Sequence, residues 1–226
     1  MVKLEFCVNK ERWAKNPVST PSRKISYTPA MPISALPQII QDNFEIHEWR
    51  HASAIFERDF PNEWAEVCDV LSRFRLCKTY LTTPGGRKSK VSEWIDSELY
   101  RKGWVEKEFD TSVLIDGHSI DSPTHSVDCY KNRVALEIEW NNKDPFFDRD
   151  LNNFRLLFDL RVISIGIVVT RSDALQAIFN DLGRGSSYGA STTHMSKLLP
   201  KIEGGGGGGC PILAFGIKDT LYDQNC

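Results

Sequence analysis

Two glutamates alternate with apolar residues in the run Arg133-Val-Ala-Leu-Glu-Ile-Glu-Trp140. β-Branched and aromatic residues at a period of two give this run strand character. Val134, Leu136, Ile138 and Trp140 fall on one face, and Ala135, Glu137 and Glu139 on the other. Asp128 precedes Glu137 by nine residues, on the segment Val127–Tyr130. A tight turn near Lys131-Asn132 folds that segment back as a hairpin, so three carboxylates share one patch. Like charges at such range raise one another's pKa, and a hard divalent cation relieves the repulsion. Mg²⁺ takes oxygen ligands, keeps several waters, and often binds one or two protein carboxylates plus a substrate phosphate. The bland reading is a solvated strand face with ordinary surface acids, and spacing alone does not choose between the two.

The flanking segments decide whether the patch has a scaffold. Asp144-Pro145 is a helix start, with Asp as N-cap and Pro at the first helical position. Phe147, Leu151, Phe154 and Phe158 follow at helical spacing. This stripe is expected to pack on a core, and a helix-mediated dimer contact is the other reading. Val162–Thr170 is a nearly continuous apolar run, expected as a central strand buried on both faces. Ser172 caps a short helix to about Asn180, and Pro211–Ile217 forms a last apolar strand. Upstream, residues 45–75 read as helical with a break at Phe60-Pro61-Asn62. Val91–Gly103 reads as a helix with Gly103 as C-cap. Short strands follow near Trp104–Phe109 and Ser112–Ile115, then a polar loop to His125. Strand, long helix, strand, helix is an α/β arrangement. Residues 1–45 carry Pro17, Pro21, Pro29, Pro32 and Pro37 and read as an extended arm or small subdomain, with one strand near Val2–Val8. The rest of the chain, 46–226, is one domain. The run Gly204–Gly209 is expected to be a flexible linker; no Lys-Ser/Thr follows it, so it is not a phosphate loop.

Composition narrows the class. The chain has 226 residues and a net charge of −2, long enough for one sizeable core and not coated in positive charge. It contains no long apolar run and no secretory segment, so neither a membrane span nor export is expected, and a cytoplasmic location follows. The six cysteines show no metal-ligand spacing and read as reduced thiols, with a zinc site improbable. The five histidines likewise lack ligand spacing. From Arg73 to Lys90 there are six basic residues and no acid, including Arg87, Lys88 and Lys90. That stretch is either a solvated loop or a set of phosphate contacts.

With these pieces in order, the chain resembles type II restriction endonucleases of the BglII/BstYI group, within the PD-(D/E)XK nuclease superfamily. The resemblance runs from about Glu48 to Ile217. It is carried by Phe60-Pro61-x-x-Trp64, Arg101-Lys102-Gly103-Trp104, Asp128-x₈-Glu137-x-Glu139, the aromatic helix, Val162–Thr170 and the last strand. It implies an α/β fold with a mixed central β-sheet flanked by helices, as in restriction endonucleases. It also implies Mg²⁺-dependent hydrolysis of double-stranded DNA at a specific, palindromic site by a homodimer. Asp128 and Glu137 would hold the metal together with the Ile138 carbonyl, and Glu139 would complete the catalytic set. The superfamily usually has Lys where this chain has Glu139, which leaves the base open. Asn141, Asn142 and Lys143 would lie at the mouth of the cleft. The loop bearing Arg184, Ser186, Ser187 and Tyr188 would face the major groove, where Asn pairs with adenine and Arg with guanine. A repair or junction-cleaving nuclease of the same superfamily, or a non-catalytic DNA-binding protein, are the alternatives.

Overall fold

The computed structural model describes residues 35–83, 88–121 and 124–226. The expected strand near Val2–Val8 and Arg87 lie outside these residues. Helix α1 (Gln38–Asn43) leads into β1 (Phe44–Trp49). Residues 45–49 were expected to be helical, yet they form an edge strand, with Phe44 opposite Ile217 in an antiparallel pair. Only Phe44-Glu45-Ile46-His47 alternates apolar with polar, a period-two signal too short to stand out before the helices that follow. Helices α2 (Ala52–Asp59) and α3 (Pro61–Arg73) come next, split at Phe60, with Pro61 opening α3. β2 (Leu76–Cys77), α4 (Lys78–Thr82) and α5 (Lys90–Tyr100) follow. Ser89 caps α5, its hydroxyl accepting from the Ser92 amide at 2.9 Å. Gly103, at φ 85°, closes the segment after α5 as expected. β3 (Val105–Lys107) and the hairpin of β4 (Ser112–Ile115) and β5 (His118–Asp121) precede the acid-bearing segment.

β6 (Val127–Lys131) and β7 (Val134–Ile138) pair antiparallel, with Lys131 opposite Val134. The turn between them is Asn132-Arg133, both at positive φ (43° and 68°), which is the two-residue geometry that matches strand twist. The strand therefore begins at Val134, one residue later than expected. Helix α6 (Pro145–Asp159) and β8 (Ile165–Arg171) follow, then α7 (Gln176–Asp181), α8 (Met195–Glu203), β9 (Ile212–Ile217) and β10 (Tyr222–Asp223). The main sheet has the order β1-β9-β8-β7-β6-β3. β7, β8 and β9 are parallel and the outer strands antiparallel, so the expected mixed α/β sheet is present.

Each face of the sheet carries its own core. On one face Leu136, Ile138, Ile167, Val169, Leu213 and Phe215 meet the side chains of α2, α3 and α5, among them Phe56, Leu71 and Ile95. On the other, Ala135, Val168 and Ala214 meet Phe147, Leu151 and Phe154 of α6 and Leu198 of α8. β8 is buried on both faces. Gly166 sets how close α6 lies: a Cβ there would collide with the Phe154 ring. The aromatic stripe of α6 is thus used within its own chain, with Phe147 and Phe154 fully buried, and no longer argues for a dimer. Asp144 precedes α6 without making a cap hydrogen bond, so that expectation fails although Pro145 does open the helix.

Two further expectations are overturned. The run Gly204–Gly209 is a set of turns seated against α6. The amide of Gly206 donates to Lys201 O at 2.9 Å, and Gly208, at φ 58°, lies where a Cβ would press on the Arg155 stem. A side chain would not fit, which is a packing reason for glycine distinct from flexibility. Cys77 and Cys226 form a disulfide across 149 residues, beside the parallel pairing of β2 with β10. No local spacing could have announced a partner that far away. Cys68, Cys129 and Cys210 are free and buried, as expected of thiols. No helix among the described residues is long and apolar enough to cross a membrane.

Candidate active site

The hairpin places Asp128 beside Glu137. The Asp128 amide donates to Glu137 Oε2 at 3.3 Å, and the Ile138 amide donates to Asp128 Oδ2 at 2.9 Å. Asp128 is half-buried and lines a cleft of about 510 Å³ together with Lys88, Ser92, His125, Ile138, Glu139, Asn142 and Arg149. Glu137 lies beneath that cleft, only 1% exposed, and its Oε1 has no hydrogen-bond partner. Glu139 is 2% exposed. The acids are therefore not a solvated strand face.

Burial has electrostatic consequences. It pushes the Glu137 carboxyl well above its ordinary range, reinforced by the charges of Asp150 and Asp128. Burial and the Asp150 charge push Glu139 up to about 9. Glu139 is held in place by two donors, Asn142 Nδ2 at 2.6 Å and Arg149 Nη2 at 3.3 Å. Its backbone continues the strand, the Glu139 amide donating to Val169 O at 2.9 Å.

Four residues join the site that the strand argument did not name. Asp150 of α6 is fully buried and takes Arg149 Nε at 3.0 Å on Oδ1, while its Oδ2 is unpartnered. Burial raises its pKa too. Arg149 is thus the shared cation of Glu139 and Asp150. His125 lines the cleft, and ligand atoms of His125, Glu137 and Asp150 lie within 4.8 Å of one another, a proximity that spacing along the chain does not show. Burial, then the nearby Arg149, lowers the His125 pKa. Asp96 of α5 is 1% exposed and contacts Lys88, and the Cys129 thiol donates to its Oδ1 at 3.3 Å. Burial lifts Asp96 to about 6.

The residues expected to touch DNA divide into two groups. Asn141, Asn142 and Lys143 are zipped to the loop after α7: Asn142 O accepts from the Thr193 amide at 2.9 Å, and Lys143 bridges Thr192. The two loops proposed for sequence readout are therefore one continuous surface. The buried Arg171 supports it from below, with Nη2 donating to Tyr188 O and to Thr192 Oγ1, each at 2.9 Å. Ser186 and Ser187 are exposed and Arg184 half-buried on this surface. Tyr188 is different: it is 5% exposed and stacks on Phe179 at 4.0 Å, so its ring is a prop for the loop and does not face outward. On the other side of the cleft, Lys88 leans on Asp96 and Lys90 pairs with Glu93 at 2.7 Å.

A strand hairpin with adjoining acids, a cleft, cations on its wall and a paired loop surface thus lie together in one region. Comparison with curated proteins gives no match. The family model described as restriction endonuclease BglII/BglIII matches residues 44–217, well over half of the chain and the whole of the sheet from β1 to β9. The chain belongs to the BglII/BglIII restriction endonuclease family and is a type II site-specific deoxyribonuclease.

Proposed function

We propose that the protein is a Mg²⁺-dependent type II restriction endonuclease that cuts double-stranded DNA within a palindromic site as a homodimer. The observation that carries this reading is the pairing of Asp128 and Glu137. One carboxylate faces the cleft, and the other lies beneath it with an oxygen that no donor reaches. An all-oxygen set of Asp128, Glu137 and the Ile138 carbonyl fits Mg²⁺, which prefers such donors and retains waters. When bound, the ion would neutralise a phosphate oxygen and lower the pKa of a coordinated water.

The remaining work falls to the chain. Lys88 and Arg149 on the cleft wall attract the phosphate. Glu139, held by Asn142 and Arg149, accepts the proton of the attacking water at its carboxylate. Asn141, Asn142, Lys143, Arg184, Ser186 and Ser187 read the site from their joint surface, and Lys88 and Lys90 meet the backbone. A two-fold dimer matches a palindrome because each subunit presents the same readout surface to one half-site.

The test separates binding from cleavage. Asp128→Ala and Glu137→Ala are expected to lower Mg²⁺-dependent cleavage by about 10²–10³-fold or more while DNA affinity in the presence of chelator stays near wild type. Near-normal cleavage by either variant would refute the site assignment.

A further inference from the structure

Behind the Asp128–Glu137 pair lies a second group of donors. Asp150 Oδ2 and Glu137 Oε1 are both buried and both without a donor. The other Asp150 oxygen is taken by Arg149, and the other Glu137 oxygen by the Asp128 amide. Two buried carboxylate oxygens without a donor are unfavourable unless a proton, shared as between Asp150 and Glu139, or a cation answers them. His125 completes the group from the cleft side, with its ligand atom inside the same 4.8 Å span. Its backbone is fixed by the next turn of α6, where Asn153 Nδ2 donates to His125 O at 2.9 Å.

We infer that His125, Glu137 and Asp150 form a second divalent-cation site, separate from the all-oxygen set and bridged to it by Glu137. The donor set points to a Zn²⁺-class ion in preference to Mg²⁺. One imidazole among three ligands favours Zn²⁺ over Mg²⁺, which takes oxygen, and three protein ligands is the number in open zinc sites. Tetrahedral bonds of that ion set ligand atoms roughly 3.4 Å apart, so the three groups draw together from their present span. Arg149 holds the other Asp150 oxygen, Oδ1. The inference shares Glu137 with the proposed Mg²⁺ site and rests on that residue being a ligand, but it does not require that the protein cut DNA.

The experiment titrates the full, metal-free chain with Co²⁺ as the spectroscopic stand-in for Zn²⁺, and follows visible absorption and stoichiometry. The variants are His125→Gln, Asp150→Asn and Asp128→Asn, each checked for wild-type circular dichroism. The wild type is expected to show a Co²⁺ band with nitrogen ligation, which His125→Gln abolishes and Asp150→Asn weakens by at least about 10-fold in affinity. Asp128→Asn keeps the band, because Asp128 belongs to the other set. His125→Gln replaces a half-buried side chain at the cleft wall, so it reports on the site even if Asp150→Asn misfolds. A Co²⁺ signal in the wild type that His125→Gln leaves unchanged, or no signal at all, overturns the inference. Failure of the nuclease reading has a different signature: the His125-dependent band persists while no Mg²⁺-dependent cleavage is seen.

Discussion

The two faces of β7 and its continuation to Glu139 solve burial in opposite ways. On one, Val134, Leu136 and Ile138 meet Ile165, Ile167 and Val169 of the neighbouring strand and the helices beyond. Every group there is apolar, so burial itself stabilises, at about 1.5–3 kcal/mol for each large side chain removed from water. On the other, Ala135 lies over the apolar half of α6, while Glu137 and Glu139 face Asp150. Only Arg149 among the described residues forms an ion pair with that group. The same strand therefore contributes stability through one face and gives some of it up through the other. Such a loss is the signature of a site kept for binding or chemistry.

The contrast is sharpest for adjacent residues. Leu136→Ala is expected to lower unfolding free energy by about 2–5 kcal/mol, as buried leucines generally do. Glu137→Gln, one residue on, is expected to raise the stability of the metal-free protein by about 1–3 kcal/mol, because an amide brings donors to a place crowded with acceptors. Urea denaturation in chelator measures both. If Glu137→Gln destabilised the protein as Leu136→Ala does, the two faces would be alike and the acids merely structural.

A further effect should appear in the pH dependence. Burial raises Glu139 from its ordinary 4.5 to about 9, so the folded chain keeps a proton that the unfolded chain releases. Stability from this group is complete below about pH 4.5 and is lost as pH rises toward 9. Thermal unfolding of the metal-free protein should therefore fall across that window, and added Mg²⁺ should flatten the slope. A midpoint that rises with pH would mean the acids are charged and served in the metal-free fold.

The last effect belongs to the readout surface. Arg184→Ala should weaken cognate binding by about 1–3 kcal/mol and relax preference at one base pair. Binding to each single-base variant of the duplex at fixed salt checks this. Uniform loss would reassign Arg184 to a phosphate contact, and no loss would remove the loop from the interface.

What the sequence disclosed followed from how local each feature is. Asp128, Glu137 and Glu139 were legible because a hairpin and a period of two are short-range patterns. Asp150, His125 and Asp96 come from helix packing and a long loop, where spacing along the chain carries no register. A signal did exist for Asp150: it sits among Phe147, Leu151 and Phe154, so a carboxylate occupied a core position of the apolar stripe. Asp96 is similar, one residue beyond Ile95 on a buried flank of α5. β1 is hard to read as a strand because its six residues run directly up to α2. The glycine run looked like a linker because composition does not show the Arg155 and Ile212 side chains packed against it. The Cys77–Cys226 bond depends on where β10 returns to β2, which is a property of the finished fold.

The most direct measurement is digestion of a sequenced plasmid by the full chain, in Mg²⁺ and in chelator. Discrete fragments in Mg²⁺, mapping to one palindromic sequence and absent in chelator, are expected. Cleavage that persists in chelator, or an intact plasmid in Mg²⁺ despite cognate binding, would contradict a metal-dependent restriction centre on β6, β7 and α6.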